Sequence, residues 1–352
     1  MNINILDKKP LLIAGPCSAE TEEQVLATAR QLKNNSNISI FRAGIWKPRT
    51  RPGNFEGIGS AGLEWLNTVQ QETGLPVAIE IANPKQAEEA LKHQIDVLWI
   101  GARTTVNPFS VQDIADALKG TSVPVLIKNP INPDLELWTG ATERLQNAGL
   151  AQIGFIHRGF SSYGNAQLRN VPMWNLAIEM KRRFPNLPFL IDPSHITGNS
   201  ALIAEIFQKA IDLDYDGAMI EAHINPKEAW SDAKQQVTPE ELTIIIEAMN
   251  WRKNDVLDQT TNEHLFALRQ RIDQLDNQLI TLLQERMQVS EQIGTFKKSH
   301  NITILQTQRW NDIYTRLQEL TAKANLSPEF LSHYMEAIHL ESIRHQELVM
   351  NK

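Results

Sequence analysis

Cysteine is almost missing from this chain: Cys17 is the only one in 352 residues. A lone cysteine closes no internal disulfide, so the fold must rest on its core, and a reducing, cytoplasmic compartment is expected. Long apolar runs are missing as well; none approaches the roughly 20 residues that span a bilayer. The opening stretch, Met1 to Pro10, is polar and has no apolar core of a secretion signal. Nor is there a basic block. The net charge of −7 argues against nucleic acid or an anionic membrane as partner and leaves small molecules. A hydrophobic share of 42% supports a sizeable core, and the length exceeds one ordinary domain, so two are expected. Internal repeats and low-complexity segments are absent.

Short β-branched runs recur over the first two thirds of the chain: Leu11–Gly15, Ile38–Ala43, Val77–Ile81, Val97–Gly101, Val125–Lys128, Gly154–His157, Phe189–Asp192 and Ala218–Ala222. They do not alternate polar with apolar, as befits strands buried on both faces. Each is followed by a stretch compatible with a helix. The pattern predicts a closed (β/α)8 barrel of α/β class over residues 1–252, rather than an open doubly wound sheet. Its last helix opens with Thr238 as N-cap, Pro239 at the first helical position and Glu240 and Glu241 in the first turn, and runs to about Trp251.

A polar linker is expected over 253–262, and strand signals vanish after it. Leu265, Leu268, Ile272, Leu275, Leu279, Leu282, Val289, Ile293 and Phe296 keep a three/four spacing. A helix from Glu263 to Lys298 would be about 54 Å long and cannot bury such a stripe alone. A second helix is expected from about Leu305 to Ala324, and a third after Ser327 as N-cap and Pro328. Residues 263–352 therefore read as an all-α three-helix domain completed by a second copy of the chain, a homodimer.

Chemistry in a parallel barrel sits where the strands end. Those positions carry Cys17, Arg42 with Lys47-Pro48-Arg49-Thr50, Arg103, Lys128, Arg158, His195 and Glu221. Any one cation there has a plain reading as a salt bridge to a neighbouring loop. The whole set points to an anionic substrate, because guanidinium forks match phosphate and carboxylate. Cys17 alone reads as a buried thiol, and His195 and Glu221 as satisfied polar groups. Together with Asp232 they make an S, N, O, O set suited to a divalent transition metal rather than to Mg²⁺ or Ca²⁺. Mn²⁺ comes first, with Fe²⁺, Co²⁺ and Zn²⁺ as alternatives. His223 is a competing ligand, and Lys128 has an alternative reading as the Schiff-base lysine of an aldolase.

Gly15-Pro-Cys-Ser, Lys47-Pro-Arg-Thr, Gly101-Ala-Arg-Thr-Thr, Lys128-Asn, His157-Arg-Gly, Asp192-Pro-Ser-His and the Glu221/Asp232 pair resemble the compact bacterial 3-deoxy-arabino-heptulosonate 7-phosphate (DAHP) synthases. The resemblance covers nearly all of residues 1–250 in the right order. It implies condensation of phosphoenolpyruvate with erythrose 4-phosphate to DAHP and phosphate, the entry to aromatic amino acid synthesis. It implies Cys17, His195, Glu221 and Asp232 as metal ligands. It places Arg42, Lys47, Arg103, Lys128 and Arg158 on phosphoenolpyruvate, and Lys47, Arg49 and Thr50 on erythrose 4-phosphate, with Lys47 and Lys128 catalytic. The sister synthases that use arabinose 5-phosphate are the nearest rival, and the Lys47-Pro-Arg-Thr loop resembles theirs less.

In the helical part, Arg286 lies on the apolar seam, and Lys297, eleven residues on, returns to nearly the same face. Arg269 is about a quarter turn away from Arg286. Pairing of Arg286 with Glu285 or Glu291 is the plain alternative. From Leu265 to Gln346 the spacing resembles the all-helical chorismate mutases, whose pocket borrows one arginine from the partner subunit. That implies rearrangement of chorismate to prephenate, with Arg269 (from the partner), Arg286, Lys297, Arg309, Ser342 and Gln346 holding the substrate, and Arg286, Lys297 and Gln346 catalytic. The chain departs from that family at Gln306 and Trp310, where carboxylates are usual. Tryptophan accepts no hydrogen bond as a carboxylate does. A second expectation therefore stands beside the first: a retired mutase kept for dimerisation and for sensing chorismate or prephenate, with feedback on the barrel.

Overall fold

The structure, a computed structural model, describes residues 5–35, 37–48, 53, 55–164, 167–252, 258–306, 308–309, 312–313, 315–316 and 325–351. Strands β1 (Leu11–Gly15), β2 (Ile40–Arg42), β3 (Val77–Ile81), β4 (Val97–Ile100), β5 (Val125–Lys128), β6 (Ile153–His157), β7 (Phe189–Ile191) and β8 (Gly217–Glu221) pair in parallel in chain order, and β8 pairs with β1 to close the ring. Several ladders are shorter than the apolar runs that mark them. Ile38 and Ala43 flank β2 and are buried, yet Ile38 donates its N–H to Asn35 O in the preceding turn. Burial extends past the hydrogen-bonded ladder, so hydrophobicity overstates strand length.

Ten helices accompany the ring among the described residues of the first unit: α1 (Glu22–Lys33), α2 (Ala61–Thr73), α3 (Pro84–Lys92), α4 (Ala102–Thr105), α5 (Pro108–Leu118), α6 (Leu135–Asn147), α7 (Trp174–Arg183), α8 (Pro193–Thr197), α9 (Ile203–Asp212) and α10 (Pro239–Ala248). Side-chain caps start many of them, including Thr21, Asn83, Asn107, Asp134 and Asp192. Thr238 and Glu241 form a reciprocal capping box on α10. That helix ends at Ala248, short of Trp251, because Met249 is extended and Trp251 instead packs edge-on against Phe207.

Two hydrophobic layers hold this unit. One lies between strands and helices; the other fills the barrel with Leu11, Ile13, Ile40, Val97, Trp99, Leu126, Ile156, Leu190 and Met219. Closure demands close approach at the seam. A Cβ on Gly217 would lie 1.9 Å from Leu11 O, so only glycine fits where β8 meets β1.

The chain divides into units Met1–Asn254 and Asp255–Lys352. The second contains α11 (Gln259–Ser299) and α12 (Pro328–Met350). Helix α11 has 41 residues and begins inside the expected linker, because the Asp258 side chain accepts from Thr261 N at 2.7 Å and caps it. Helix α12 is capped by Ser327 with Pro328 following. Gly294 lets the two helices touch, since a Cβ there would sit 3.0 Å from Gln346 Cα. Most of the helix expected over 305–324, Trp310 included, lies outside the described residues. No helix among the described residues is long and apolar enough to cross a membrane.

His157 sits at the end of β6 with no exposed surface, ringed by Trp138, Phe160, Trp174 and Tyr215. Its Nε2 faces Pro172 O at 2.6 Å, which can only accept, so Nε2 carries the proton and Nδ1 accepts from Tyr215 OH at 2.8 Å. Burial pushes this imidazole down to about 4. The unfolded chain binds the proton first. The contribution to stability is therefore complete above the ordinary histidine value near 6.5 and is lost as pH falls toward 4. Urea unfolding of the full chain should lose about 3 kcal/mol from this group between pH 7 and pH 4. In His157→Gln that loss should shrink by about this amount. An unchanged slope would refute the assignment.

Candidate active sites

The C-terminal rim of the barrel gathers its chemistry from seven strand ends. Register explains why. Glu221 pairs with Gly15 across the β8–β1 seam, which brings Cys17, two residues past β1, over the end of β8. Cys17 Sγ lies 3.2 Å from Asp232 Oδ2, and His195 Nε2 lies 3.8 Å from Glu221 Oε1. These are two separate pairs: among the described residues no three Cys, His, Asp or Glu side chains are grouped closely enough, as placed, to hold one metal ion.

The loop carrying Asp232 is tied down on several sides. Gln236 Oε1 accepts from Cys17 N at 2.9 Å, Ser231 and Ser18 hydroxyls bond to each other, and Trp230 N donates to Glu20 at 2.7 Å. Asp232 itself adopts positive φ, 51°, and its Oδ1 accepts from Arg169 at 2.9 Å. Arg169 also donates to Gln235 Oε1 at 2.6 Å, and Gln235 Nε2 donates to Glu221 Oε2 at 2.7 Å. One chain of contacts thus runs from Arg169 to Asp232 and, through Gln235, to Glu221.

His223 stands two residues past Glu221. Its Nδ1 accepts from Asn225 N at 2.9 Å, so Nε2 holds the proton, and that edge faces Glu20 at 3.4 Å. Nε2 makes no hydrogen bond among the described atoms, so His223 keeps one uncommitted ring nitrogen.

The cations lie among these donors. Lys47 Nζ contacts Cys17 O at 2.7 Å and Sγ at 2.9 Å. Arg42 is buried and reaches Glu221 Oε1 at 3.3 Å and Cys17 O at 3.0 Å, while its Nε has no partner among the described atoms. Lys128 Nζ pairs with Asp192 Oδ2 at 2.8 Å. A lysine locked as an ion pair is a poor amine nucleophile, which counts against the Schiff-base reading. Arg158 is held by Asn170 Oδ1 at 2.7 Å, and Asn129 Oδ1 takes its backbone N–H. Arg103 is exposed on α4, near enough that its charge is felt at Arg158. Arg49 and Thr50 lie outside the described residues.

Electrostatics sorts these groups by state. Burial pushes the Cys17 thiol up to about 12, and the charges of Glu221 and Asp232 add to that against Lys47. Burial likewise holds His195 down, keeping a neutral imidazole with a free lone pair. Burial alone would raise Asp192, Glu221 and Asp232. Neighbouring His195 with Lys128, His195 with Arg42, and Arg169 respectively hold each below the usual carboxylate range. Burial takes Arg158 down to about 10, so it stays charged at neutral pH. The rim therefore presents anionic carboxylates, a neutral imidazole and fixed cations. A dication brought to it would release the thiol proton.

The helical unit builds a smaller site by itself. Arg286 donates to the Ser342 hydroxyl, Ser342 Oγ donates to Ile338 O at 2.8 Å, and Gln346 Nε2 reaches Ser342 O at 3.3 Å. Buried Gln346 Oε1 has no partner among the described atoms. Lys297 is buried on nearly the same face of α11 and donates to Ile304 O. Burial lowers both Arg286 and Lys297. Among the described residues neither has a carboxylate partner, and Glu291 is taken by His345 at 2.7 Å. Arg269 and Arg309 are exposed.

Sequence reading missed Asp192, Arg169, Gln235, Gln236, Asn129 and Asn170. The Asp192-Pro-Ser-His run offered a signal for Asp192, since a carboxylate three residues before a histidine at a helix start meets its N–H.

The chain matches the DAHP synthetase I family over residues 3–258 and chorismate mutase type II over residues 268–347. Phospho-2-dehydro-3-deoxyheptonate aldolase of Thermotoga maritima is 32% identical over 242 residues, 68% of each chain. A 2-dehydro-3-deoxyphosphooctonate aldolase of Wolinella succinogenes is 28% identical over 260 residues, covering 67% of this chain and 96% of that one. The crystal structure of the Thermotoga maritima aldolase (DAHP synthase) superposes with a TM-score of 0.60 at 29% identity, over 67% of both chains.

As the chain has one cysteine, thiol chemistry reports on this rim alone. After chelation, Cys17 should react with a disulfide reagent at pH 8 at least ~100-fold more slowly than in the urea-unfolded chain. A native rate within tenfold of the unfolded one would show that the thiol is neither buried nor protonated.

Proposed function

Since the chain belongs to the DAHP synthetase I family and carries a chorismate mutase type II segment, we propose that its barrel condenses phosphoenolpyruvate with erythrose 4-phosphate. The observation that carries this reading is the meeting of Arg42, Lys47, Lys128 and Arg158 with Cys17, His195, Glu221 and Asp232 at one rim. The reaction joins C3 of phosphoenolpyruvate to the aldehyde carbon, and water replaces phosphate at C2. Two phosphates and a carboxylate must be held together, which calls for several fixed cations.

Arg42, Lys47, Arg103, Lys128 and Arg158 bind phosphoenolpyruvate, and Lys47, Arg49 and Thr50 bind erythrose 4-phosphate. Cys17, His195, Glu221 and Asp232 hold a divalent transition metal, Mn²⁺ before Fe²⁺, Co²⁺ or Zn²⁺. Bound there, the metal supplies Lewis acidity toward the aldehyde oxygen. Lys47, close to Cys17, is placed to give that oxygen a proton as it gains charge. Lys128, paired with Asp192, stays on the anion throughout.

The helical unit rearranges chorismate to prephenate, a unimolecular step that needs restraint and cations near the ether oxygen. Arg286 and Ser342 hold the dicarboxylate, with Arg309 and the partner's Arg269 completing the pocket, and Lys297 and Gln346 address the ether oxygen. The apolar stripe of α11 supports a homodimer. Phe266, Leu268, Ile272, Leu279 and Phe296 each keep half or more of their surface exposed, ready for a second copy. Trp310, where the mutase family has glutamate, favours one further reading, a dimerising sensor of chorismate or prephenate that restrains the barrel.

Purified protein should consume phosphoenolpyruvate only when erythrose 4-phosphate is present, and a chelator should stop it. Cys17→Ser should lower metal affinity and kcat/KM at least ~100-fold. Condensation that survives the chelator, or a preference for arabinose 5-phosphate, would overturn this reading. Chorismate loss that falls ~100-fold in Arg286→Ala supports the mutase. Prephenate inhibition of condensation without chorismate turnover supports the sensor, provided Arg286→Ala abolishes it.

A further inference from the structure

Trp99 fills the barrel interior on β4, with no exposed surface. Volume alone does not call for tryptophan: the other inward positions around it, Leu126, Ile156 and Leu190, are aliphatic. What sets Trp99 apart is its company. The Arg42 guanidinium lies 4.9 Å from its ring centroid and the Lys128 ammonium 5.8 Å, both over the ring and both within cation–π range. One cation comes from the end of β2 and the other from the end of β5, so this ring is their shared support.

The ring is itself oriented. Glu80 pairs in register with Trp99 across β3 and β4, so both side chains project to the same side of the sheet. Its Oε2 accepts from Trp99 Nε1 at 3.1 Å. A carboxylate on the indole N–H enriches the π face that the cations meet. Residue 101 makes room for that contact, since a Cβ on Gly101 would fall 2.0 Å from Glu80 Oε1. Two buried cations near one point repel each other. Glu221 offsets the charge of Arg42 and Asp192 that of Lys128, and the Trp99 ring faces both cations.

We infer that Trp99 is a positioning residue of the anion site: its ring fixes the spacing of Arg42 and Lys128 and thereby the affinity for phosphoenolpyruvate. This rests on the proposed synthase reading. Trp99 does not touch the reacting atoms, so its effect falls on binding, not on turnover.

The test uses the full chain with Mn²⁺, measuring phosphoenolpyruvate binding by calorimetry without the aldehyde, then KM and kcat separately. Trp99→Leu should weaken binding and raise KM about tenfold. Trp99→Phe should stay within about threefold of wild type, and kcat should move less than threefold in both. Where Trp99→Leu does not fold, a graded series decides. Phenylalanine at position 99 carrying one, two and three ring fluorines keeps the shape and drains the π face, so affinity should fall with each fluorine. A flat series, or a folded Trp99→Leu that binds like Trp99→Phe, overturns the inference. Failure of the wild-type protein to bind phosphoenolpyruvate would sink the synthase reading instead.

Discussion

Two carboxylates without exposed surface, Asp192 and Glu221, hold the mouth of this barrel in one arrangement. Burying a charge is unfavourable by several kcal/mol unless it is paired and hydrogen-bonded. Asp192 meets the condition with Lys128 and His195 on one oxygen and the His195 N–H on the other. Glu221 meets it with Arg42 on one oxygen and Gln235 on the other. Neither can move without stranding a partner. The positions of Arg42, Lys128, the His195 imidazole and Gln235 follow from these two groups.

That constraint explains how the same rim can carry buried carboxylates and buried cations together. The positive groups are not massed; each is tethered to a carbonyl, a carboxylate or an aromatic face. Arg42, for example, spends its donors on Cys17 O and Glu221 and retains Nε. The helical unit solves a smaller version differently. Arg286 and Lys297 are partly desolvated and lean on a hydroxyl and a carbonyl, so their charge remains available for a dianionic ligand.

Much of this was legible in the residues themselves. Eight doubly buried strands, seven of them followed by a polar residue of the rim, announce a closed parallel ring, because closure is what buries both faces of every strand. Site residues at strand ends could be read from position alone. Those that act through side-chain direction could not. Trp99 reads as one more apolar strand residue until register shows it facing inward beneath Arg42 and Lys128. Arg169, Gln235 and Gln236 lie in loops, where no periodicity reports which way a side chain points. The early start of α11 was missed because Gln259 to Asn262 has no apolar period, and only the Asp258 cap betrays a helix.

The seam between the first and last strands has a consequence for how the protein comes into being. Cys17 and Asp232 touch across 215 residues of sequence, and the ladder that brings them together joins β1 to β8. No partial barrel contains this pair. As a chain leaves the ribosome N-terminus first, the thiol waits beside an open edge until the last strand is made and docks. Loop closure of that length is the slowest kind of contact to form. Only a ring that has closed in the right register sets Cys17 beside Asp232.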